Sequence, residues 1–307
     1  MRLRLGRPEI SDYEDRFDVP AATSDTAVSV TFLGVSTLLI DDGDTSLLTD
    51  GFFSRPGLAK VALGRLAPHR GRIRNALERA GADRVEAVLP VHTHFDHAMD
   101  SAVVARLTGA QLVGGMSSAN IGHGHGLAEE QITLATSGVA MEFGSWRVTE
   151  IESHHCPPDR YPGEIDQPLQ SPAKASAYKC GEAWSILIEH LPSSRTMLVQ
   201  GSAGFVPGAL KGRTAEVAYL GVGQLGIQDD GYLRDYWAET VRAVGARTVV
   251  LIHWDDFFRP LDLPLRALPY AGDDLDVTMR VLGRLAEDDG VRLHLPTVWK
   301  REDPWSG

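Results

Sequence analysis

Residues 87–97 read Ala87-Val88-Leu89-Pro90-Val91-His92-Thr93-His94-Phe95-Asp96-His97. The apolar run from Ala87 to Val91 predicts a buried strand. Three histidines and an aspartate then fall within six positions. In extended backbone alternate side chains share a face, so His92 and His94 point at one spot. A helical pattern begins near Ala98 and swings Asp96 and His97 to a neighbouring spot. Imidazole nitrogen and carboxylate oxygen are ligands for zinc, iron or manganese, and two spots leave room for two ions. The competing reading is a solvated histidine-rich loop. It is disfavoured because the cluster closes a strand and further histidines close later ones. His154 and His155 follow the strand-rich stretch Ile132 to Glu152, and His253 follows Val249-Val250-Leu251-Ile252.

The bulk numbers narrow the function class. The 307 residues suit one large domain, and a 43% hydrophobic content supports a substantial core. A net charge of -11 repels phosphate backbones and anionic membrane surfaces. The expected partner is therefore a small-molecule substrate, with no nucleic acid and no membrane. Two cysteines, Cys156 and Cys180, are too few for a disulfide framework and fit a reducing compartment. The opening Met-Arg-Leu-Arg-Leu-Gly-Arg-Pro-Glu has no apolar run after it, and no segment approaches a membrane span. These features lead to the expectation of a cytoplasmic protein. Its oligomeric state is not legible.

Along the chain, residues 1–26 read as a polar arm and 27–307 as one domain. Val28 to Ile40 and Thr45 to Thr49 form a hairpin through Asp41-Asp42-Gly43-Asp44. Phe52 to Gly71 reads as a long loop whose Phe52 and Phe53 either wall a pocket or anchor the loop in the core. A helix over Ile73 to Ala80 stops at Gly81, and another runs from Met99 to Leu107. Gly122-His123-Gly124-His125-Gly126 reads as a flexible turn whose histidines serve substrate contact better than metal. Residues 157–177 carry five prolines, which rules out a regular element and predicts a second pocket wall. Ala183 to Glu189 and Thr196 to Gln200 read as a hairpin. Val217 to Gly221 and Thr248 to Ile252 are strands, and Tyr232 to Val244 and Asp276 to Leu285 are helices. No internal repeat is visible in the sequence.

The motif His92-x-His94-x-Asp96-His97 after a buried strand resembles the metallo-β-lactamase-fold hydrolases, over about Val28 to His253. Thr31-Phe32-Leu33-Gly34 and Leu48-Thr49-Asp50-Gly51 look like the opening hairpin of the ascorbate-6-phosphate lactonase-like and phospholipase-D-like branch. From periodicity alone the chain is mixed α/β; the resemblance implies a four-layer αββα sandwich. It assigns His92, His94 and one histidine of the 154–155 pair to a first metal. A proline often follows this ligand by two residues, which favours His155 over His154. Asp96, His97 and His253 are implied for a second metal, with Asp96 also orienting the nucleophile. Asp50 matches a family aspartate that supports a ligand histidine. One departure stands out. Gln200-Gly201-Ser202 places Ser202 where most two-metal members have a bridging aspartate. Asp255 or Asp256 would restore negative charge, or else form a helix N-cap or a solvated turn.

The resemblance implies a zinc-dependent hydrolase with one or two ions, manganese or iron being alternatives, acting on an ester, lactone or phosphoester. An iron oxidoreductase and a catalytically silent metal sensor on the same fold are the competing readings. Fold does not settle chemistry.

Overall fold

Alternation decides which layer each side of a strand meets. In Leu38–Asp41, Leu38 and Ile40 join one apolar core, while Leu39 joins another. In Val85–Leu89 the split recurs: Ala87 and Leu89 go to the first core and Val88 to the second. A strand that is apolar on both faces requires cover on both faces. In the computed structural model, which describes residues 4–306, a second sheet covers one face and helices cover the other.

The first half of the chain supplies β1 (Ser29–Phe32), β2 (Leu38–Asp41), β3 (Ser46–Thr49), β4 (Val85–Leu89), β5 (Gln111–Gly114) and β6 (Ile132–Leu134). The second half supplies β7 (Ala140–Phe143), β8 (Trp146–Ser153), β9 (Ala183–His190), β10 (Arg195–Gln200), β11 (Val217–Gly221), β12 (Thr248–Ile252) and β13 (Arg292–His294). A last strand, β14 (Arg301–Glu302), returns to pair with β1. The sheets have the orders β14-β1-β2-β3-β4-β5-β6 and β13-β12-β11-β10-β9-β8-β7. Both follow one pattern: three antiparallel pairings, then three parallel ones.

Helices α1 (Leu58–Leu63), α2 (Arg70–Ala80), α3 (Phe95–Ala98), α4 (Ser101–Thr108) and α5 (Met116–Gly124) accompany the first sheet. Helices α6 (Asp230–Trp237) and α7 (Leu275–Asp289) accompany the second. Ile73 and Leu77 of α2 and Val104 of α4 pack with Leu39, Leu48 and Val88 outside the first sheet. Leu233, Tyr236 and Trp237 of α6 and Leu282 of α7 pack in the larger core with Leu220 and Leu251. Burying each such side chain stabilises by about 1.5–3 kcal/mol. The architecture is α/β, a four-layer αββα sandwich.

Several elements depart from the sequence reading. The helix expected from Met99 begins earlier, as α3, so Asp96 and His97 lie in a helical turn. Gly122–Gly126 is not a free turn, because α5 runs through Gly124. Gly122 and Gly124 are there for close approach. A Cβ at Gly122 would lie 2.9 Å from Ile132 Cδ1, and one at Gly124 only 2.0 Å from the Leu169 carbonyl oxygen. The long loop contains α1, and its Leu66 exchanges backbone hydrogen bonds with Ala173 at 2.6 and 2.9 Å. Residues 157–177 hold only one 3-10 turn, Ala175–Ala177. Phe52 and Phe53 are core anchors, 0% and 2% exposed. The arm turns once at Ile10–Arg16 and lies along the C-terminal strands through Arg16, Val19 and Pro20. Among the described residues no helix is long and apolar enough to cross a membrane.

Glu150 on β8 is fully buried, and neither carboxyl oxygen has a hydrogen-bond partner. Burial, then Glu182, pushes its pKa up to about 8. An unfolded glutamate ionises near 4.5. Between these values the unfolded chain has lost the proton and the folded chain keeps it. Stability therefore falls as pH rises from 4.5 to about 8. Glu150→Gln should flatten that part of the curve of denaturation midpoint against pH. A variant with the wild-type slope would sink this assignment.

Candidate metal centre

Strand ends and the helical turn α3 deliver the donors. Beyond β4 the chain is pinned by Thr93 N, which donates to Cys180 O at 2.8 Å. His94 caps α3, and His97 N donates to His94 O at 3.0 Å. The residues after β8 bring His155, and the residue after β12 is His253. His253 sits at φ 60° and donates its backbone N–H to Val35 O at 2.7 Å.

The ligating atoms of His92, His94 and His155 lie within 4.8 Å of one another. Those of Asp96, His97 and His253 form a second group of the same kind. The groups adjoin, since the His92 and His97 rings are 3.9 Å apart. His92 Nε2 is 3.1 Å from His94 Nδ1. Asp96 Oδ2 is 3.7 Å from His97 Nε2 and 3.6 Å from His253 Nε2. A tetrahedral ion with bonds of 2.0–2.1 Å holds its ligand atoms about 3.3 Å apart. His97 Nε2 is buried and has no hydrogen-bond partner. In donor chemistry and spacing, both groups fit a metal ion.

Except at His97, the electrostatics favour the ligand forms, neutral imidazole and ionised carboxylate. Burial, then the neighbouring His97 and His94, holds the His92 pKa well below its usual range. Burial likewise lowers His94. Burial, then a neighbouring histidine, brings His155 and His253 to about 4. Burial opposes charge on His97, but Asp50 and then Asp96 outweigh it and raise its pKa. Burial opposes ionisation of Asp96, yet His97, His253 and His94 together keep its pKa low.

Around this centre the remaining candidates separate. Asp50 is fully buried and accepts hydrogen bonds from Val91 N (2.9 Å), Ser36 Oγ (2.7 Å) and His97 Nδ1 (2.8 Å). His155, and not His154, joins the His92 and His94 rings, at 4.9 and 4.7 Å. His154 is exposed. Ser202 Oγ accepts from Cys156 N at 3.0 Å, so it steadies the backbone beside His155. Asp255 and Asp256 are not a helix cap or a solvated turn, as they are buried and bound to arginine. Asp255 pairs with the fully buried Arg55 and accepts from Val35 N at 2.8 Å. Asp256 pairs with Arg7 and Arg266. Their charge is largely offset by these arginines, although Asp255 still acts on the nearby His253.

Sequence reasoning missed Ser36, Arg55, Asp100 and Asp159. Asp100 accepts from Phe53 N, Ser54 N and Ser54 Oγ, fixing the loop after β3. Arg55 carries no local motif; only its burial beside Asp255 reveals it. Val35, Asp50, Arg55 and His253 all have positive φ, between 40° and 60°. Such conformations cost about 1–3 kcal/mol each and persist where surrounding bonds over-determine them. Gly223 leaves room for His253, since a Cβ there would lie 2.9 Å from its Nδ1. Phe257 packs edge-on against the His253 ring at 5.6 Å and lies 6.3 Å from Phe95, an apolar wall on the second group's side.

Two sheets of this order, with histidines and aspartates gathered at their strand ends, define the metallo-β-lactamase fold. Solved structures bear this out. The chain is similar to Igni18, a metallo hydrolase from Ignicoccus hospitalis, at 14% identity and a TM-score of 0.52, covering 90% of this chain and 96% of that one. It is similar to YhfI, a metallo-β-lactamase-fold protein from Bacillus subtilis, at 16% identity and a TM-score of 0.50, covering 92% and 100%. It is also similar to CmlA, a diiron β-hydroxylase from Streptomyces venezuelae, at 13% identity and a TM-score of 0.53, covering 92% of this chain and 55% of that one. No protein-family model matches the sequence, and no curated protein does.

The Arg55–Asp255 pair gives a stability test. Removing one partner of a buried pair strands the other charge and costs about 3–5 kcal/mol. Asp255→Ala and Arg55→Met should each lose that much in chemical denaturation. The double variant should be more stable than the sum of the two losses implies. Single variants within about 0.5 kcal/mol of wild type, as for ordinary surface changes, would show that the pair does not hold this region.

Proposed function

We propose that the chain is a metal-dependent hydrolase of a small-molecule ester, lactone or phosphoester. The observation that carries this reading is the convergence of two complementary donor groups at the strand ends. His92, His94 and His155 would hold one ion, and Asp96, His97 and His253 a second. A divalent ion in such a site polarises a carbonyl or phosphoryl oxygen and lowers the pKa of water toward neutrality. The residues do the rest. Three neutral imidazoles would hold the first ion. Asp96, kept ionised by its histidine neighbours, would orient the attacking water. Asp50 fixes the His97 ring so that Nε2 faces the centre. Phe257 shields one side of the substrate site and the 157–177 segment walls the other. The charge of -11 supports a small substrate over nucleic acid. Zinc is the expected metal.

Likeness to a diiron β-hydroxylase supports a second reading, an iron-dependent oxidoreductase on the same fold. The neutral Ser202 weighs against it, because a di-iron centre relies on bridging carboxylates. Metal analysis and an absorption spectrum of protein purified without added metal separate the two. Zinc with turnover on an ester, lactone and phosphodiester panel supports hydrolysis; bound iron with a ligand-to-metal band and no such turnover would overturn it.

Two substitution series test the ligand assignment. His155→Ala should lose one metal equivalent and hydrolysis, whereas His154→Ala should keep both. The reverse outcome would transfer the role to His154. Ser202→Asp should tighten the more weakly held ion, because a carboxylate there offsets the repulsion between two cations. Two equally tight ions in the wild type, with no gain in the variant, would refute that reading of Ser202.

A further inference from the structure

His94 turns one ring nitrogen toward the centre and the other away from it. Nδ1 lies 3.1 Å from His92 Nε2, within the first donor group. Nε2 lies 3.2 Å from Asp159 Oδ1 and 3.3 Å from the Tyr161 carbonyl oxygen. Both acceptors belong to the proline-rich segment 157–177. An imidazole that donates one N–H to a carboxylate has its tautomer and ring plane fixed, and its other nitrogen becomes the better ligand. Asp159 is itself held in place, since Tyr161 N donates to its Oδ1 at 2.9 Å. The Tyr161 ring stands edge-on to His94 at 6.1 Å.

The segment is stitched to the loop that carries His92 and His94. Cys180 N donates to Tyr161 O at 2.9 Å, and Cys180 O accepts from Thr93 N at 2.8 Å. Thr93 Oγ1 donates to Lys179 O at 2.6 Å. Moving Asp159 therefore disturbs the backbone at Thr93, immediately before His94. His155 has its own orienting bond, from Nδ1 to Cys156 O at 2.6 Å. His92 Nδ1 has no hydrogen-bond partner. Among the three histidines of the first group, His94 alone takes its orientation from a carboxylate on a distant segment.

We propose that Asp159 is a positioning residue, holding His94 with its proton on Nε2 and Nδ1 aimed into the first group, so that the affinity of that site depends on the docked 157–177 segment. The proposal rests on the metal-centre reading above. It gives the segment a task besides walling the pocket: displacing it loosens one ion and leaves the other in place.

Zinc-free wild type, Asp159→Ala and Asp159→Asn test this. In long-range nitrogen–proton spectra of the zinc-free protein, the His94 ring should show the Nε2-protonated tautomer. Asp159→Ala should lose that signature, and Asp159→Asn, whose amide oxygen still accepts, should keep it. In zinc competition against a chromophoric chelator, Asp159→Ala should bind one equivalent roughly 10–100-fold more weakly. The equivalent at Asp96, His97 and His253 should be unchanged, and Asp159→Asn should fall between. A His94 signature and zinc affinities both unchanged in Asp159→Ala would overturn the proposal. So would a wild type that binds three equivalents, one of them lost in Asp159→Ala, because His94, Asp159 and Cys180 would then be a metal site of their own. A wild type that takes up no zinc would instead remove the metal-centre reading, and the nitrogen spectra would still decide whether Asp159 orients His94.

Discussion

The structure depends on one buried carboxylate. Asp50 has no solvent exposure and spends its oxygens on Val91 N, Ser36 Oγ and His97 Nδ1. A buried charge is tolerated only when its lone pairs are satisfied. Those three donors come from the end of β4, the turn between β1 and β2, and α3. The need to satisfy one carboxylate therefore fixes where the opening hairpin meets the central strand. It also fixes the plane of a ring in the second donor group. Ser101 Oγ donates to the Asp50 carbonyl at 2.5 Å and adds α4 to the same knot. Substitution to Asn would keep shape but remove the charge and turn one accepting oxygen into a donating amide.

A second knot repeats this logic across the sandwich. Arg55 leaves the first sheet and Asp255 the second, and they meet with no exposure. Asp255 takes Val35 N, and Val35 O takes His253 N. The left-handed backbone at Val35, Arg55 and His253 is held by these bonds and by those that Arg55 makes to Arg259 O and Asp256 O. Positive φ at a β-branched residue such as Val35 is rare, so the geometry of His253 is secured at a local cost that the pair and the surrounding core offset. The two knots place the same centre from two directions, one through His97 and the other through His253.

The sequence made the regular parts legible because they follow periodicity. Val217–Gly221 and Thr248–Ile252 occupy the expected residues, and both hairpins are where the turn residues put them. The short strands β13 and β14 escaped notice because two or three residues carry no period. The repeated pairing order of the two sheets escaped too, since it resides in hydrogen bonds and not in residue identity. At the centre, spacing within one strand end was readable, as for His92, His94, Asp96 and His97. What lies beyond a single element was not. Alternation puts His154 and His155 on opposite sides but does not say which side faces inward. Asp255 is indistinguishable in sequence from a solvated turn residue until Arg55, 200 positions away, is brought beside it. Gly122 and Gly124, on either side of His123, spell flexibility locally, yet they serve close packing against Ile132 and Leu169.

The pairing of β14 with β1 has a consequence for how the chain is made. Val30 sits opposite Glu302 and Thr31 opposite Arg301. During synthesis the β1 edge of the first sheet leaves the ribosome unpaired and waits for residues 301–302. Arg55 waits as well, its guanidinium without Asp255 until the second sheet has emerged. A nascent chain with an open, apolar strand edge is a template for pairing with other chains. Until residues 301–302 arrive, the β1 edge of the first sheet is therefore open to pairing with other chains.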